Sequence, residues 1–172
     1  MGKVMTRIKI TNALDIGNAR SGTLPGGQIR ALELDALVDT GATLLALPED
    51  AVDRLGLLQM DIRKVRLADG TLREVALVGD LRVEILGRVM TCDALVMPAG
   101  STPLIGQMQL EALDLLVDAK SRQATVNPAS PDTPLLDLLR SSIYDELTPR
   151  DARKSSTIAN ISVVLVSSSV MP

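Results

Sequence analysis

The sequence lacks histidine, tryptophan and phenylalanine, and it contains a single cysteine, Cys92. Without histidine the chain can form neither a Ser-His nor a Cys-His nucleophile pair, and it lacks the imidazole ligands of most catalytic zinc sites. One cysteine cannot form a disulfide within the chain, which is compatible with a reducing compartment. If the protein is an enzyme, carboxylates must therefore carry out its proton transfers, and we expect no metal ion and no cofactor.

The sequence also lacks long runs of residues with the same charge. The formal net charge is -3 and the pI is about 5.0, with acidic and basic residues interleaved. This pattern offers no basic face for nucleic acid or for an acidic membrane surface. Lys3, Arg7 and Lys9 interrupt the first apolar residues, so no signal peptide is predicted, and a cytoplasmic location is the default expectation. The apolar run Ile161 to Val166 is too short to span a membrane.

Aromatic residues make up only 1% of the chain, whereas hydrophobic residues make up 46%. A core must therefore consist of aliphatic side chains and methionine, and 172 residues suffice for one domain with a tail. Short apolar stretches separated by Gly, Pro, Asn and Asp are typical of an all-β domain. The predicted strands are Val4 to Ile10, Ile29 to Val38, Lys64 to Leu67, Val75 to Val78, Leu81 to Leu86 and Ala94 to Met97.

Turns and helices interrupt this β pattern at a few places. Ala68-Asp69-Gly70-Thr71 contains an Asp-Gly pair, which predicts a projecting β-hairpin. Helices are predicted at Glu49 to Leu55 and from Gln107 to about Leu113. In the second helix Met108, Leu110 and Leu113 are expected to face inward, and the polar break Asp118 to Arg122 predicts a closing hairpin.

The composition changes after Asn127, where three prolines occur in a short polar stretch. We place a domain boundary there, with one domain over residues 1–128 and a linker and tail over residues 129–172. Apolar residues between Leu135 and Leu147 have helical spacing, which indicates an amphipathic helix. The Ser-rich end, Ser155 to Pro172, is interpreted as a disordered tail or an oligomer contact.

The segment Ala36-Leu37-Val38-Asp39-Thr40-Gly41-Ala42-Thr43 is the strongest indication of function. An apolar strand end runs directly into an acid, whose charged form is disfavoured by apolar neighbours unless something stabilises it. Gly41 permits a sharp turn and a close approach by another chain or a ligand. A second apolar motif, Leu104-Ile105-Gly106, follows later in the chain, just before the predicted helix.

Together these motifs resemble the retropepsin-like aspartic proteases, and the pattern is nearer to stand-alone bacterial members than to viral ones. The resemblance covers roughly Val4 to Pro128. It implies a retropepsin-like barrel half with one short C-terminal helix, closed as a homodimer. The resemblance implies that the catalytic residues are Asp39, Thr40 and Gly41. It implies that Ala42, Thr43 and the flap residues Ala68, Asp69 and Gly70 bind substrate. The supporting residues that it implies are Leu104, Ile105 and Gly106. Thr43, Leu44 and Gln107 depart from the viral pattern of acidic residues and an arginine.

The chemistry that these residues require does not depend on the family resemblance. Peptide hydrolysis by carboxylates needs one ionised group and one neutral group, and the chain has one Asp-Thr-Gly and no Asp-Ser-Gly. The second carboxylate must come from another subunit, and a two-fold axis places Asp39 beside its own symmetry mate. We expect an aspartic endopeptidase that binds an extended peptide or protein substrate.

Two other interpretations remain open at this stage. A retropepsin-like dimer that no longer cleaves could act as a protein-interaction module, although an acid flanked by a hydroxyl and a glycine is of little use to such a module. An all-β scaffold, with Asp39 as an ordinary turn residue that caps backbone amides, explains the fewest features.

Overall fold

Strands dominate the chain over residues 3–118 and 120–136, which are the residues that the computed structural model describes. They belong to one compact unit, Met1–Leu136. The strands are β1 (Met5–Asn12), β2 (Ala31–Val38), β3 (Leu45–Pro48), β4 (Leu58–Arg66), β5 (Leu72–Ile85), β6 (Arg88–Met97), β7 (Leu104–Ile105), β8 (Leu115–Asp118) and β9 (Gln123–Val126). The helices are α1 (Ala13–Arg20), α2 (Glu49–Leu55) and α3 (Gln107–Ala112), with a 3-10 turn at Gly26–Gln28.

Seven strands form one sheet in the order β1-β2-β7-β3-β6-β5-β4, and β8 and β9 form a separate hairpin. Strand β1 also pairs with the second half of β5, from Ile8 opposite Ile85 to Asn12 opposite Leu81, so the sheet curls back on itself. The described residues are therefore mostly β with few helices, and the expected all-β fold is confirmed.

One face of this sheet carries the aliphatic core, as the composition requires. Its fully buried side chains include Ile8, Ile10, Leu45, Leu47, Leu81, Val83, Ile85 and Ile105. Helix α2 adds Val52 and Leu55 to the core, and Leu110 and Leu113 from the α3 region complete it. Helix α2 ends at Gly56, whose left-handed φ of 57° caps the helix.

The predicted helix at Glu49 to Leu55 is confirmed, whereas the inward face predicted for α3 is partly wrong. Leu110 and Leu113 are buried, but Met108 is 49% exposed and Gln109 is fully buried in its place. The two strands predicted at Val75 to Val78 and Leu81 to Leu86 are one strand, β5, in which pairing with β6 is irregular between Val78 and Leu81 and resumes at Leu81. Helix α1 was not predicted from the sequence.

The closing hairpin is confirmed as β8 and β9, and a polar network fixes the chain that follows it. The buried Arg88 side chain donates to the backbone carbonyls of Leu113 and Asp114, each at 2.7 Å, and also to the Ser130 carbonyl. The Asp114 carboxylate accepts from the Asn127 amide, the Ser130 hydroxyl and the Leu135 backbone N–H. The domain boundary at residue 128 stays a prediction. The helix predicted at Leu135 to Leu147 lies outside the described residues from residue 137 onward, and the tail Ser155 to Pro172 lies wholly outside them.

Within the described ranges, no helix is long and apolar enough to cross a membrane.

Candidate active site

Asp39 stands at the end of β2, in the loop that connects β2 to β3. Its backbone N–H donates to the Ile105 carbonyl at 3.0 Å, so the β2 pairing continues one residue past Val38. Its carboxylate oxygen Oδ1 accepts the Gly41 N–H at 2.9 Å, and its carbonyl accepts the Ala42 N–H at 3.0 Å. The loop therefore fixes the orientation of a half-buried carboxylate by its own backbone.

Gly41 lies close against the acid. A Cβ atom added at residue 41 would lie 3.2 Å from Asp39 Oδ1, tighter than an ordinary contact. Thr40, Gly41 and Thr43 are exposed in the single chain. A loop held in one conformation thus presents its acid, a hydroxyl and a glycine at the surface.

The second motif supports this loop from behind. Strand β7 pairs in parallel with β2, with Leu37 opposite Leu104 and Val38 opposite Ile105, and antiparallel with β3 at Ala46. The short strand thus fills the gap between the two strands that carry the loop. Leu104 and Ile105 lie where the sequence predicted supporting residues.

The first residues of α3 pack against the loop. The Gln107 N–H donates to the Ala42 carbonyl at 2.8 Å, and the Met108 N–H donates to the Thr43 carbonyl at 3.1 Å. Gly106 lies so close that an added Cβ atom would meet the Leu44 backbone at 2.6 to 2.7 Å. The fold therefore brings Asp39, Gly41, Ala42 and Thr43 together with the motif that ends at Gly106.

A row of apolar side chains lies beside the loop, on the sheet face opposite the core. These residues lie opposite one another across six strands: Met5, Leu37, Leu104, Ala46, Leu95 and Leu77. Directly paired residues project to the same face, and Asp39 follows Leu37 by two residues, so its side chain leaves the sheet on this face. Leu37, Leu104 and Leu95 are half-exposed, whereas Met5 is exposed. This row was not predicted from the sequence.

The predicted flap residues lie in the turn between β4 and β5. Gly70 has a φ of 85°, and the Leu67 N–H donates to the Thr71 carbonyl at 2.8 Å. Asp69 Oδ1 accepts the Thr71 N–H and hydroxyl at 2.9 and 2.7 Å, which lowers the pKa of the Asp69 carboxyl. This carboxylate is therefore already used in forming the turn.

The β4–β5 hairpin projects into solvent, and the Ala68, Asp69 and Gly70 residues at its end are exposed. Among the described residues, no hydrogen bond joins this turn to the loop at residues 39–43. The single chain therefore brings together the residues predicted to be catalytic and supporting, but it does not connect the hairpin end to them.

Only one carboxylate, that of Asp39, belongs to the loop, and residues 3–118 and 120–136 contain no group of three or more potential metal ligands. A single oriented acid can accept or donate a proton, but it cannot do both in one step.

Comparison with known proteins adds one finding to this geometry. Residues 4–109, more than half of the chain, match the family model described as Aspartyl protease. The matched segment includes the Asp39 loop, the β4–β5 hairpin and the supporting motif that ends at Gly106. No curated protein matches the chain.

Proposed function

The chain belongs to the aspartyl protease family, of the retropepsin-like clan, and we propose that it is an endopeptidase in which a pair of Asp39 carboxyl groups, one from each of two identical subunits, activates one water molecule. A protease-type function follows from the family. The arrangement of two subunits and the roles of individual residues are our proposal.

The mechanism needs two carboxylates that differ in protonation. Held about 3 Å apart they share one proton, because two like charges at that distance cannot both form, as is known for aspartic proteases generally. The ionised Asp39 takes a proton from water, and the protonated Asp39 of the other subunit polarises the scissile carbonyl. The titration then belongs to the pair of carboxyl groups.

Symmetry supplies the second carboxylate. The chain has a single Asp-Thr-Gly, and a two-fold axis near Asp39 places identical loops face to face. Thr40 is exposed beside the acid, where its hydroxyl can bond across that axis, and Gly41 leaves room for a substrate backbone. The observation that carries the proposal is the clamped loop, which holds the Asp39 carboxylate at the surface of a single chain.

The substrate is proposed to be a peptide in extended conformation between this sheet face and the two hairpins, with Ala68, Asp69 and Gly70 at the flap ends. The apolar row through Leu37 and Leu104 favours aliphatic side chains beside the cleaved bond. The carbonyls of Ala42 and Thr43 are already bonded to α3, and the Ala42 N–H is bonded to the Asp39 carbonyl. Ala42 would therefore meet substrate through its side chain, and Thr43 through its side chain or its N–H group.

The direct test is hydrolysis of a peptide library by the purified full-length protein between pH 4 and 7. We expect cleavage with an optimum on the acidic side of neutral, inhibition by pepstatin-like compounds, and loss of activity in Asp39→Asn. Peptide binding without any cleavage above the Asp39→Asn background would favour the alternative, a catalytically inactive dimer that acts as a protein-interaction module.

A further inference from the structure

The β4–β5 hairpin has two faces of different composition. The strand register shows which residues project to each face. Leu77 pairs with Leu95 of the apolar row and also with Asp61 on β4, so all three side chains project to the same face. No irregularity interrupts the pairing from Asp61 to Arg66, so the face that bears Leu77 can be followed to the end of the hairpin. It is the continuation of the sheet face on which the Asp39 side chain projects.

This continuous face, which we call the cleft face of the hairpin, carries two arginines and two valines beyond Asp61 and Leu77. Arg63 lies opposite Val75, and Val65 lies opposite Arg73. The arginines are therefore diagonal neighbours across the two strands, within reach of one ligand group. Both are exposed, whereas the two valines are half-buried.

The two arginines differ in their partners. Arg63 forms an ion pair with Asp61, and the Ile62 backbone N–H and the Arg63 guanidinium together lower the pKa of the Asp61 carboxyl. Arg73 has no ion pair with any carboxylate in the part of the chain that the structure describes. A cation without a partner thus stands on the cleft face, in a chain whose net charge is -3.

The opposite face of the hairpin provides an internal comparison. Lys64 and Arg66 project there, with Glu74 directly opposite Lys64. Arg66 is exposed like Arg73 and lies near the same turn, but on the other side of the sheet. The two arginines therefore give the same charge to the hairpin and differ in the face that they present.

We propose that Arg73 is a specificity-determining residue that binds an acidic side chain of the substrate, so that preferred substrates combine aliphatic residues at the cleaved bond with a Glu or Asp elsewhere in the bound segment. The guanidinium forms charge-assisted, bidentate hydrogen bonds to a carboxylate. Arg63, already paired with Asp61, contributes less. This inference rests on the proposed function, since it assumes that the cleft face meets substrate.

Two sets of peptides test the inference. Each peptide has the same aliphatic centre, and each outer position in turn is Glu in one set and Gln in the other. Binding is measured by fluorescence anisotropy with the full-length Asp39→Asn variant at pH 6, where glutamate is ionised, and cleavage is measured with the enzyme that has Asp39. Arg73→Gln is compared with Arg66→Gln, which removes the same charge from the other face.

We expect about a three- to tenfold preference for Glu over Gln at one outer position, in binding and in kcat/KM, and a weaker preference at 0.5 M salt. The preference should disappear in Arg73→Gln and persist in Arg66→Gln. Equal discrimination by Arg73→Gln and the parent protein, or an equal loss in Arg66→Gln, would overturn the inference. So would failure of every peptide to bind.

The binding and cleavage measurements separate this inference from the proposed function. If no peptide is cleaved but Asp39→Asn prefers Glu peptides through Arg73, the specificity holds and the catalytic proposal is wrong. If peptides are cleaved with no difference between Glu and Gln at any position, the catalytic proposal stands and the role of Arg73 is rejected.

Discussion

Gly106 lies directly against the backbone of Leu44, the last residue of the loop that follows Asp39. A Cβ atom at residue 106 would come within 2.6 Å of the Leu44 carbonyl oxygen and 2.7 Å of its backbone nitrogen. Backbone atoms cannot move aside as a flexible side chain can. The helix that begins after Gly106 and the loop that carries the acid are therefore packed together without room for any side chain.

Gly106→Ala should therefore displace the Asp39 loop. We expect a loss of stability of about 1–3 kcal/mol from overpacking, and a fall in peptidase activity on the order of 100-fold because a displacement near 1 Å misaligns reacting groups. Denaturant unfolding and kcat/KM measure the two effects.

The matched control is Gly17→Ala in α1, where an added Cβ atom meets nothing within 4 Å. It should raise stability by roughly 0.5–1 kcal/mol, since alanine favours a helix, and leave activity unchanged. A folded Gly106→Ala protein with full activity would show that the contact with Leu44 does not position the acid.

The hydrogen-bond network around Asp114 should make the stability of the protein depend on pH. Hydrogen bonds from Ser130, Asn127 and the Leu135 N–H, together with Arg88, hold the pKa of this carboxyl well below its ordinary value of 3.8. A depressed pKa contributes stability that is complete above pH 4 to 5 and is lost as pH falls below that range. Asp114→Asn should thus destabilise the protein at pH 7 and have a progressively smaller effect between pH 4 and pH 2.

Chemical denaturation across that pH range measures the difference between Asp114→Asn and the parent protein. Asp132→Asn, at an exposed carboxylate nearby, serves as the control and should change stability little at any pH. A constant difference for Asp114→Asn down to pH 2 would contradict the network.

Cys92 should be chemically inert in the folded protein. Burial is the main cause that raises the pKa of its thiol to about 11, from an ordinary value of 9.0. Because only the thiolate reacts, the rate of alkylation at pH 7.5 should be about 100-fold below that of the unfolded chain. Mass spectrometry of iodoacetamide-treated protein, with and without guanidinium, measures this ratio, and Cys92→Ala should keep full activity. Rapid labelling of the folded protein would show that this strand is open to solvent.

Features that depend on a short local stretch of residues could be predicted from the sequence. Asp39-Thr40-Gly41 and Leu104-Ile105-Gly106 were identified from their composition, and a helix was predicted at Glu49 to Leu55, where α2 lies. The roles of these residues remain predictions, whereas the structure shows that the two motifs lie together around one loop.

Features that depend on pairing between distant segments could not be predicted in the same way. The apolar row beside Asp39 exists only because six strands align in one register, and no local pattern encodes that register. The burial of Gln109 instead of Met108 depends on how α3 packs against the rest of the fold, which residue type alone does not indicate. The continuity of β5 depends on its irregular pairing with β6.

The central claim is that two copies of Asp39, one from each subunit, form a single active site. Co-refolding wild-type and Asp39→Asn chains in varied ratios at constant total concentration tests it directly. If both acids are required, mixed dimers are inactive and peptidase activity falls as the square of the wild-type fraction. A linear fall, with activity proportional to the wild-type fraction, would mean that one chain suffices and would contradict the shared site.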